Sequence, residues 1–223
     1  MIAKPAKLTL SVVVILLAAL IAAYAVSYFS FTQTDFLKNK DAAVAGNFLW
    51  KLPFYLHVGF GAIALLIGGF QFIEPLRDRY TGFHRTAGKV YVVSVFIASI
   101  TAFAVAPFSE AGIVAKLGFA TLAAAWFFTN YKAYAAIKRV DILSHRKWMI
   151  RNYALTFAAV TLRIWLPLEL VVLGMNFPDA YRIVAWACWV PNLLFAEFLV
   201  ARLNRTSFLS TTASRQKESG SLS

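Results

Sequence analysis

Two of the three histidines in this chain are each followed by an arginine and then by a long apolar run. They lie in the segments GFHRTAGKVYV, at 82–92, and LSHRKWMIRNYAL, at 143–155. A histidine can ligate a metal or move a proton, and an arginine binds carboxylate and phosphate groups through paired hydrogen bonds. The residues of the two pairs, His84 with Arg85 and His145 with Arg146, are therefore candidate binding residues.

The composition places these residues in a membrane protein. Of the 223 residues, 60% are hydrophobic and 14% are charged, with a mean hydropathy of +0.67, whereas soluble domains carry about 25% charged residues. The net charge is +12, but the basic residues cluster at the ends of apolar segments. We therefore expect the lipid bilayer and its anionic headgroups as partners, and no nucleic acid.

Six apolar segments are each about 20 residues long, which is the length that an α-helix needs to cross a bilayer. They are residues 8–29, 52–73, 86–108, 113–134, 148–172 and 181–203. Because they lack the period-two alternation of membrane strands, the sequence predicts an all-α polytopic membrane protein with six transmembrane helices. Spans two to five are expected to form a four-helix bundle core.

The basic residues also predict an orientation. If the N-terminus lies inside, sixteen of the 22 basic residues fall in inner segments, so both termini are expected in the cytoplasm. The AYA at 23–25 resembles a signal cleavage site, but the apolar run continues past it, which favours an uncleaved helix. The predicted divisions are 1–51 (first helix and external loop), 52–203 (five-helix membrane domain) and 204–223 (disordered cytoplasmic tail).

Small and polar residues follow one face of the second span. Positions His57, Gly61, Ala64, Gly68 and Gln71 are spaced by 4, 3, 4 and 3, which aligns them on a helix. The small residues permit close approach of either a neighbouring helix or a flat cofactor, and both alternatives stay open. His57 is a functional candidate as a histidine within the membrane, although it could instead bond a neighbouring carbonyl.

Spans three and five carry polar residues on the same faces as their histidines. Tyr91 follows His84 in span three, and Asn152 and Arg163 follow His145 in span five. Arg163 lies 18 positions after His145, about 27 Å along the helix, and so at the outer depth of His57. Neither Glu169 nor Glu197 is well placed to pair with it. Arg163 therefore meets either an anionic ligand or an unidentified structural partner.

Three functions fit these positions. Spans three and five are parallel and diagonal in the predicted bundle, so His84 and His145 could hold a haem b, with Arg85 and Arg146 at its propionates, in a logic similar to the cytochrome b561 group. Alternatively, the His-Arg pairs bind anions at the inner interface, while Arg163 and His57 form an outer site for a small anionic ligand or lipid. The third is a structural bundle whose His-Arg pairs anchor anionic headgroups while it assists other membrane proteins. Because enzyme motifs are missing, no catalytic residue is assigned and enzymatic activity is undecided.

Four stretches resemble the DUF2306 family of bacterial integral membrane proteins. They are HVGFGAIALLIGGFQF, LRDRYTGFHRTAGKVYV, HRKWMIRNYALTFAAVTLR and WVPNLLFAE, within residues 52–200. The resemblance implies a multi-pass protein of the bacterial cytoplasmic membrane, adds Arg77 and Arg151 to the candidates and supplies no reaction.

Overall fold

The computed structural model describes residues 4–29, 44, 46–73 and 79–220, with the side chains of 4–8, 10, 11 and 206–220 left out. Its α-helices are α1 (Lys4–Val26), α2 (Phe48–Phe70), α3 (Thr81–Val105), α4 (Ile113–Lys138), α5 (Ile142–Thr156), α6 (Ala158–Pro167), α7 (Phe177–Ala187) and α8 (Val190–Gly220). Two 3₁₀ turns, Ser27–Phe29 and Ala106–Phe108, and a π turn, Leu168–Val172, extend three of them.

Within the described residues, six helical segments are long and apolar enough to cross a membrane. They are Val12–Phe29, Phe48–Phe70, Thr81–Phe108, Ile113–Lys138, Ile142–Val172 and Phe177–Arg205. The fifth span combines α5, α6 and the π turn, and the sixth combines α7 with the first half of α8. The predicted all-α architecture with six spans is confirmed.

Helices adjacent in the chain pack side by side, which produces the predicted four-helix core. The most extensive contacts join α2 with α3, α3 with α4, and α4 with α5. The first span packs against α2 and α6, while α7 packs against α4 and α8 against α5. Large apolar side chains such as Leu20, Val93 and Leu194 are exposed around the outside, as expected where helices face lipid tails.

The fifth span is interrupted twice. Between α5 and α6, the Thr156 hydroxyl bonds the carbonyl of Asn152 at 3.0 Å, a contact that bends helices. Further on, Pro167 has no N–H to continue the α-helical ladder, and the Leu173 N–H reaches back five residues to Leu168. Such interruptions inside membrane helices often border functional sites.

The sixth span is interrupted opposite the fifth. Its break lies at Cys188, between α7 and α8, where Pro191 again removes an N–H from the ladder. The Cys188 carbonyl accepts hydrogen bonds from the Thr161 hydroxyl and, at 3.0 Å, from the Asn192 amide. These side-chain bonds satisfy backbone that the break leaves open and join the two interrupted spans.

The polar composition of the segment after residue 204 predicts disorder, and this stays a prediction. The backbone of α8 is helical through Gly220. No proline or glycine occurs between Pro191 and Gly220 to end the helix.

Candidate functional site

We call the end of the bundle that carries residues 46–50 and 106–113 the outer end, following the sequence prediction. A cavity of about 790 Å³ lies in this half and is bounded by described side chains from all six spans. Its volume is within the range of small-molecule sites, about 300–1,000 Å³. Most of the lining is aliphatic or aromatic, and no Asp, Glu or Lys occurs among the lining residues described.

Arg163, on α6, lines this cavity. Its Nη1 donates to the carbonyl of Ala159 at 2.8 Å, and its guanidinium lies 5.3 Å from the ring centre of Tyr24. Among the residues that the structure describes, no carboxylate pairs with it. The arginine therefore brings a positive charge to an apolar cavity, where one carbonyl, the Tyr24 ring and a hydrogen bond with the Tyr28 side chain offset part of it.

His57, on α2, lines the same cavity. Its Nδ1 lies 3.0 Å from the carbonyl oxygen of Ala98 on α3, and its ring stands edge-on to Trp126 on α4. Because a carbonyl can only accept, Nδ1 carries the hydrogen, and the remaining ring nitrogen, Nε2, has no hydrogen bond within the described residues. The sequence offered a carbonyl bond as the alternative to a functional role, and the structure combines that bond with a cavity position.

A network of buried hydrogen bonds lies at the centre of the bundle, between the cavity and the inner end. The Tyr91 hydroxyl donates to Asn152 Oδ1 at 2.6 Å and lies 2.9 Å from Thr156 Oγ1. The Asn152 amide donates to the carbonyl of Trp126 and to Thr129 Oγ1, both at 2.9 Å. The Trp126 indole donates to Thr156 Oγ1 at 2.8 Å, which closes the network across α3, α4 and α5.

The network assigns Tyr91 and Asn152 to the packing of the core. Both side chains are fully buried, at 0% exposure, and they bond one another and their neighbours. They therefore hold helices together and leave no hydrogen-bonding group facing the cavity. Thr156 and Trp126 belong to the network and also line the cavity, so the network forms its floor.

The stripe of small residues on α2 divides into two parts. A Cβ atom at Gly68 would lie 2.6 Å from ring carbons of both Tyr91 and Tyr153, so this part packs closely against aromatic rings. At Gly61, which lines the cavity, the same atom would meet nothing within 4 Å. Gln71 ends the stripe beside Gly88, buried, with no partner for either amide atom within the described ranges.

The two His-Arg pairs lie at matched depth near the inner end. Tyr91 follows His84 by seven residues and Asn152 follows His145 by seven, and these two partners are hydrogen-bonded. The His145 Nδ1 lies 2.9 Å from the carbonyl of Ala133, and His145 and His84 are both half-buried. The paired arginines, Arg85 and Arg146, are exposed, and their contact with lipid headgroups stays a prediction.

His84 and His145 are the two residues that would ligate a haem at this position. The Nδ1 bond of His145 leaves Nε2 free to ligate, as in many haem sites. Two turns deeper, about 10 Å along the helices, the bond between Tyr91 and Asn152 joins the helix faces that carry the histidines. Haem between His84 and His145 stays a prediction. A Soret band and a sharp alpha band after dithionite reduction would support it, and a colourless protein from a haem-replete host would contradict it.

The other candidate arginines differ in their surroundings. Arg151 forms two hydrogen bonds with Glu197 on α8, at 2.5 and 2.7 Å, and its guanidinium lies 4.7 Å from the ring centre of Trp148. It therefore has a structural partner that its sequence position did not reveal. Arg77 lies outside the described residues.

The family comparison agrees with this architecture. The model of the family described as "Predicted membrane protein (DUF2306)" matches residues 54–200. The chain belongs to this family. The match confirms the resemblance expected from the sequence. No curated protein and no solved structure matches the chain.

The cavity is not built from the DUF2306 domain alone. The first span lies outside the matched residues, yet Tyr24, Tyr28 and three further side chains of that span line the cavity. Tyr24 and Trp126 were absent from the sequence-based candidates, because an aromatic residue in an apolar helix is ordinarily a packing or lipid-facing residue. Only their positions beside Arg163 and His57 distinguish them.

Proposed function

We propose that the chain is a bacterial inner-membrane protein, with both termini in the cytoplasm, that binds a small anionic molecule or the anionic headgroup of a lipid in the outer cavity. The observation that carries this proposal is Arg163, whose guanidinium lines an apolar cavity without a carboxylate partner in the described part of the chain.

The energetic argument concerns the cost of that charge. An arginine near the middle of a membrane helix costs about 2.5–3.5 kcal/mol on insertion scales. One carbonyl, the Tyr24 ring and the Tyr28 side chain offset part of this cost. A bound anion would offset more of it, because a guanidinium forms two parallel hydrogen bonds with a carboxylate, sulfate or phosphate.

The cavity also constrains the rest of the ligand. Side chains such as Leu65, Leu122 and Leu162 make most of its wall apolar, so the ligand is expected to carry an apolar body beside its charged group. Free amphiphilic anions and lipids share this chemistry. The two sources are therefore separated by experiment.

The first arm of the test titrates purified protein in non-ionic detergent with hexyl sulfate, with 1-hexanol as the uncharged comparison. We expect hexyl sulfate to bind at least tenfold more tightly than hexanol, and Arg163→Gln to remove that preference. Arg182→Gln is the matched control, since Arg182 lies at the outer end, pairs with Asp179 at 2.9 Å and does not line the cavity. Gly61→Leu should weaken both ligands, because it fills the cavity without changing its charge.

The second arm compares anionic phospholipid retained by the wild type and by Arg163→Gln after extensive detergent washing. Selective loss of lipid from the variant, without hexyl sulfate binding, would identify a lipid headgroup as the ligand. If neither anion depends on Arg163 in correctly folded protein, the proposal is wrong and the structural alternative is favoured.

A further inference from the structure

We propose that the outer cavity takes up one proton together with each anion, and that this proton lies between the anion and Nε2 of His57. The inference rests on the proposed function of the same cavity, and it adds the proton as a second ligand.

The chemistry begins with the tautomer of His57. Its Nδ1 donates to the carbonyl oxygen of Ala98 at 3.0 Å, so in the neutral ring Nε2 presents a lone pair. Nε2 has no hydrogen bond within the part of the chain that the structure describes. An anion also presents only lone pairs. Neutral His57 therefore cannot bond an anion, whereas the ring protonated on Nε2 donates a charge-assisted hydrogen bond to it.

Few charged groups face His57 from the surrounding helices. Arg163, from α6, is the permanent charge among the described lining residues, and α3 and α4 contribute no titratable side chain to that lining. The remaining titratable groups of the lining are Tyr24 and Tyr28 from the first span, and Tyr181 and Cys188 from the sixth. Phenols and thiols are largely uncharged near pH 7 in their ordinary state, so no negative side chain lies in the lining to balance a protonated histidine.

This charge balance links the two ligands. Without an anion, protonating His57 adds a second positive charge to an apolar cavity that already contains Arg163. With an anion present, the second charge has a partner. Because linkage is reciprocal, a bound anion favours protonation of His57, and protonation of His57 favours the anion by the same factor.

Hexyl sulfate is a suitable probe because it keeps a single charge between pH 6 and 9, so any titration belongs to the protein. We expect its Kd to increase with pH over this range, by up to tenfold per pH unit, which is the limit for one linked proton. Calorimetry in two buffers of different ionisation enthalpy, without sulfonate or phosphate groups, should approach one proton taken up per anion. Binding of 1-hexanol should show neither effect.

His57→Gln tests the assignment of the proton. Glutamine can donate an N–H to the anion without titrating, so this variant should bind hexyl sulfate with a Kd that is independent of pH and without proton uptake. If proton uptake persists in folded His57→Gln, the assignment to His57 is overturned. Should that variant fail to fold, proton uptake and pH dependence of the wild type still decide whether a proton is linked at all.

The failure of this inference is distinct from failure of the proposed function. Binding that requires Arg163 but has a Kd independent of pH and no proton uptake overturns the proton linkage and leaves the anion site intact. Binding that is insensitive to Arg163→Gln overturns the anion site first.

Discussion

The centre and the outer half of the bundle differ in how their polar side chains are hydrogen-bonded. In the centre, Tyr91, Asn152 and Thr129 bond one another or nearby carbonyls and are buried. In the outer half, His57 and Arg163 each have one backbone bond and border a cavity of about 790 Å³. The two regions meet at Thr156 and Trp126, which belong to the network and line the cavity.

This difference distinguishes a structural role of polar side chains inside a membrane from a ligand-binding role. A polar group whose bonds are all made by the protein fixes the arrangement of helices. A polar group that borders a cavity and can form further hydrogen bonds is able to bind a ligand. Sequence position alone placed Tyr91, Asn152, His57 and Arg163 in one set of candidates, and their bonding divides that set in two.

The largest loss of stability is expected when Asn152, the central residue of the hydrogen-bond network, is replaced. Asn152→Leu leaves the Tyr91 hydroxyl, the Trp126 carbonyl and Thr129 without their shared partner. We expect the free energy of unfolding to fall by about 2–3 kcal/mol, since several groups lose a bond at once. Reversible unfolding in mixed micelles measures this. A loss below about 0.5 kcal/mol would contradict a structural role for the network.

Two glycines of α2, one in each region, are expected to respond differently to substitution by alanine. Gly68→Ala forces a methyl group to 2.6 Å from the rings of Tyr91 and Tyr153, and overpacking of this kind costs about 1–3 kcal/mol. Gly61→Ala meets open space and should leave stability unchanged or raise it by up to about 1 kcal/mol through helix propensity. The same unfolding assay compares them, and equal losses would contradict the division of the stripe.

In ligand-free protein, Arg163→Gln is not expected to lower the free energy of unfolding, unlike Asn152→Leu and Gly68→Ala. Because no described carboxylate pairs with Arg163, removing the charge is expected to leave the free energy of unfolding unchanged or to raise it by about 1 kcal/mol. Measuring stability with and without hexyl sulfate extends the comparison, since only the wild type should gain stability from the anion. A loss above about 1 kcal/mol in ligand-free variant would indicate structural pairing.

The smallest loss of stability is expected for a substitution of Arg151, which pairs with Glu197. Arg151→Gln breaks the bidentate contact with Glu197, but the Glu197 side chain is about half exposed. Exposed ion pairs contribute about 0–1 kcal/mol, so we expect a small loss. Glu197→Gln should produce a similar loss, and the double variant should not add the two. Additive losses would show that the contact contributes nothing.

The sequence predicted the depth of a polar residue along its helix, but it did not predict which residues of other helices it contacts. Counting helical turns placed Arg163 near the outer side, and the structure places it on a cavity that also contains His57. The same counting could not reveal that Arg151 meets Glu197, because that contact depends on how α8 packs against α5. It also could not identify Tyr24, because the first span contacts the cavity only through tertiary packing.

By itself, the sequence determined the six spans, since a length of about 20 apolar residues and the absence of strand alternation leave helices as the only way to satisfy the backbone in lipid. It also determined the family, over residues 54–200. Only the tertiary structure decided which polar residues are satisfied. Hydrogen bonds between Tyr91 and Asn152, or an opening beside Gly61, depend on distances between helices that are remote in the chain.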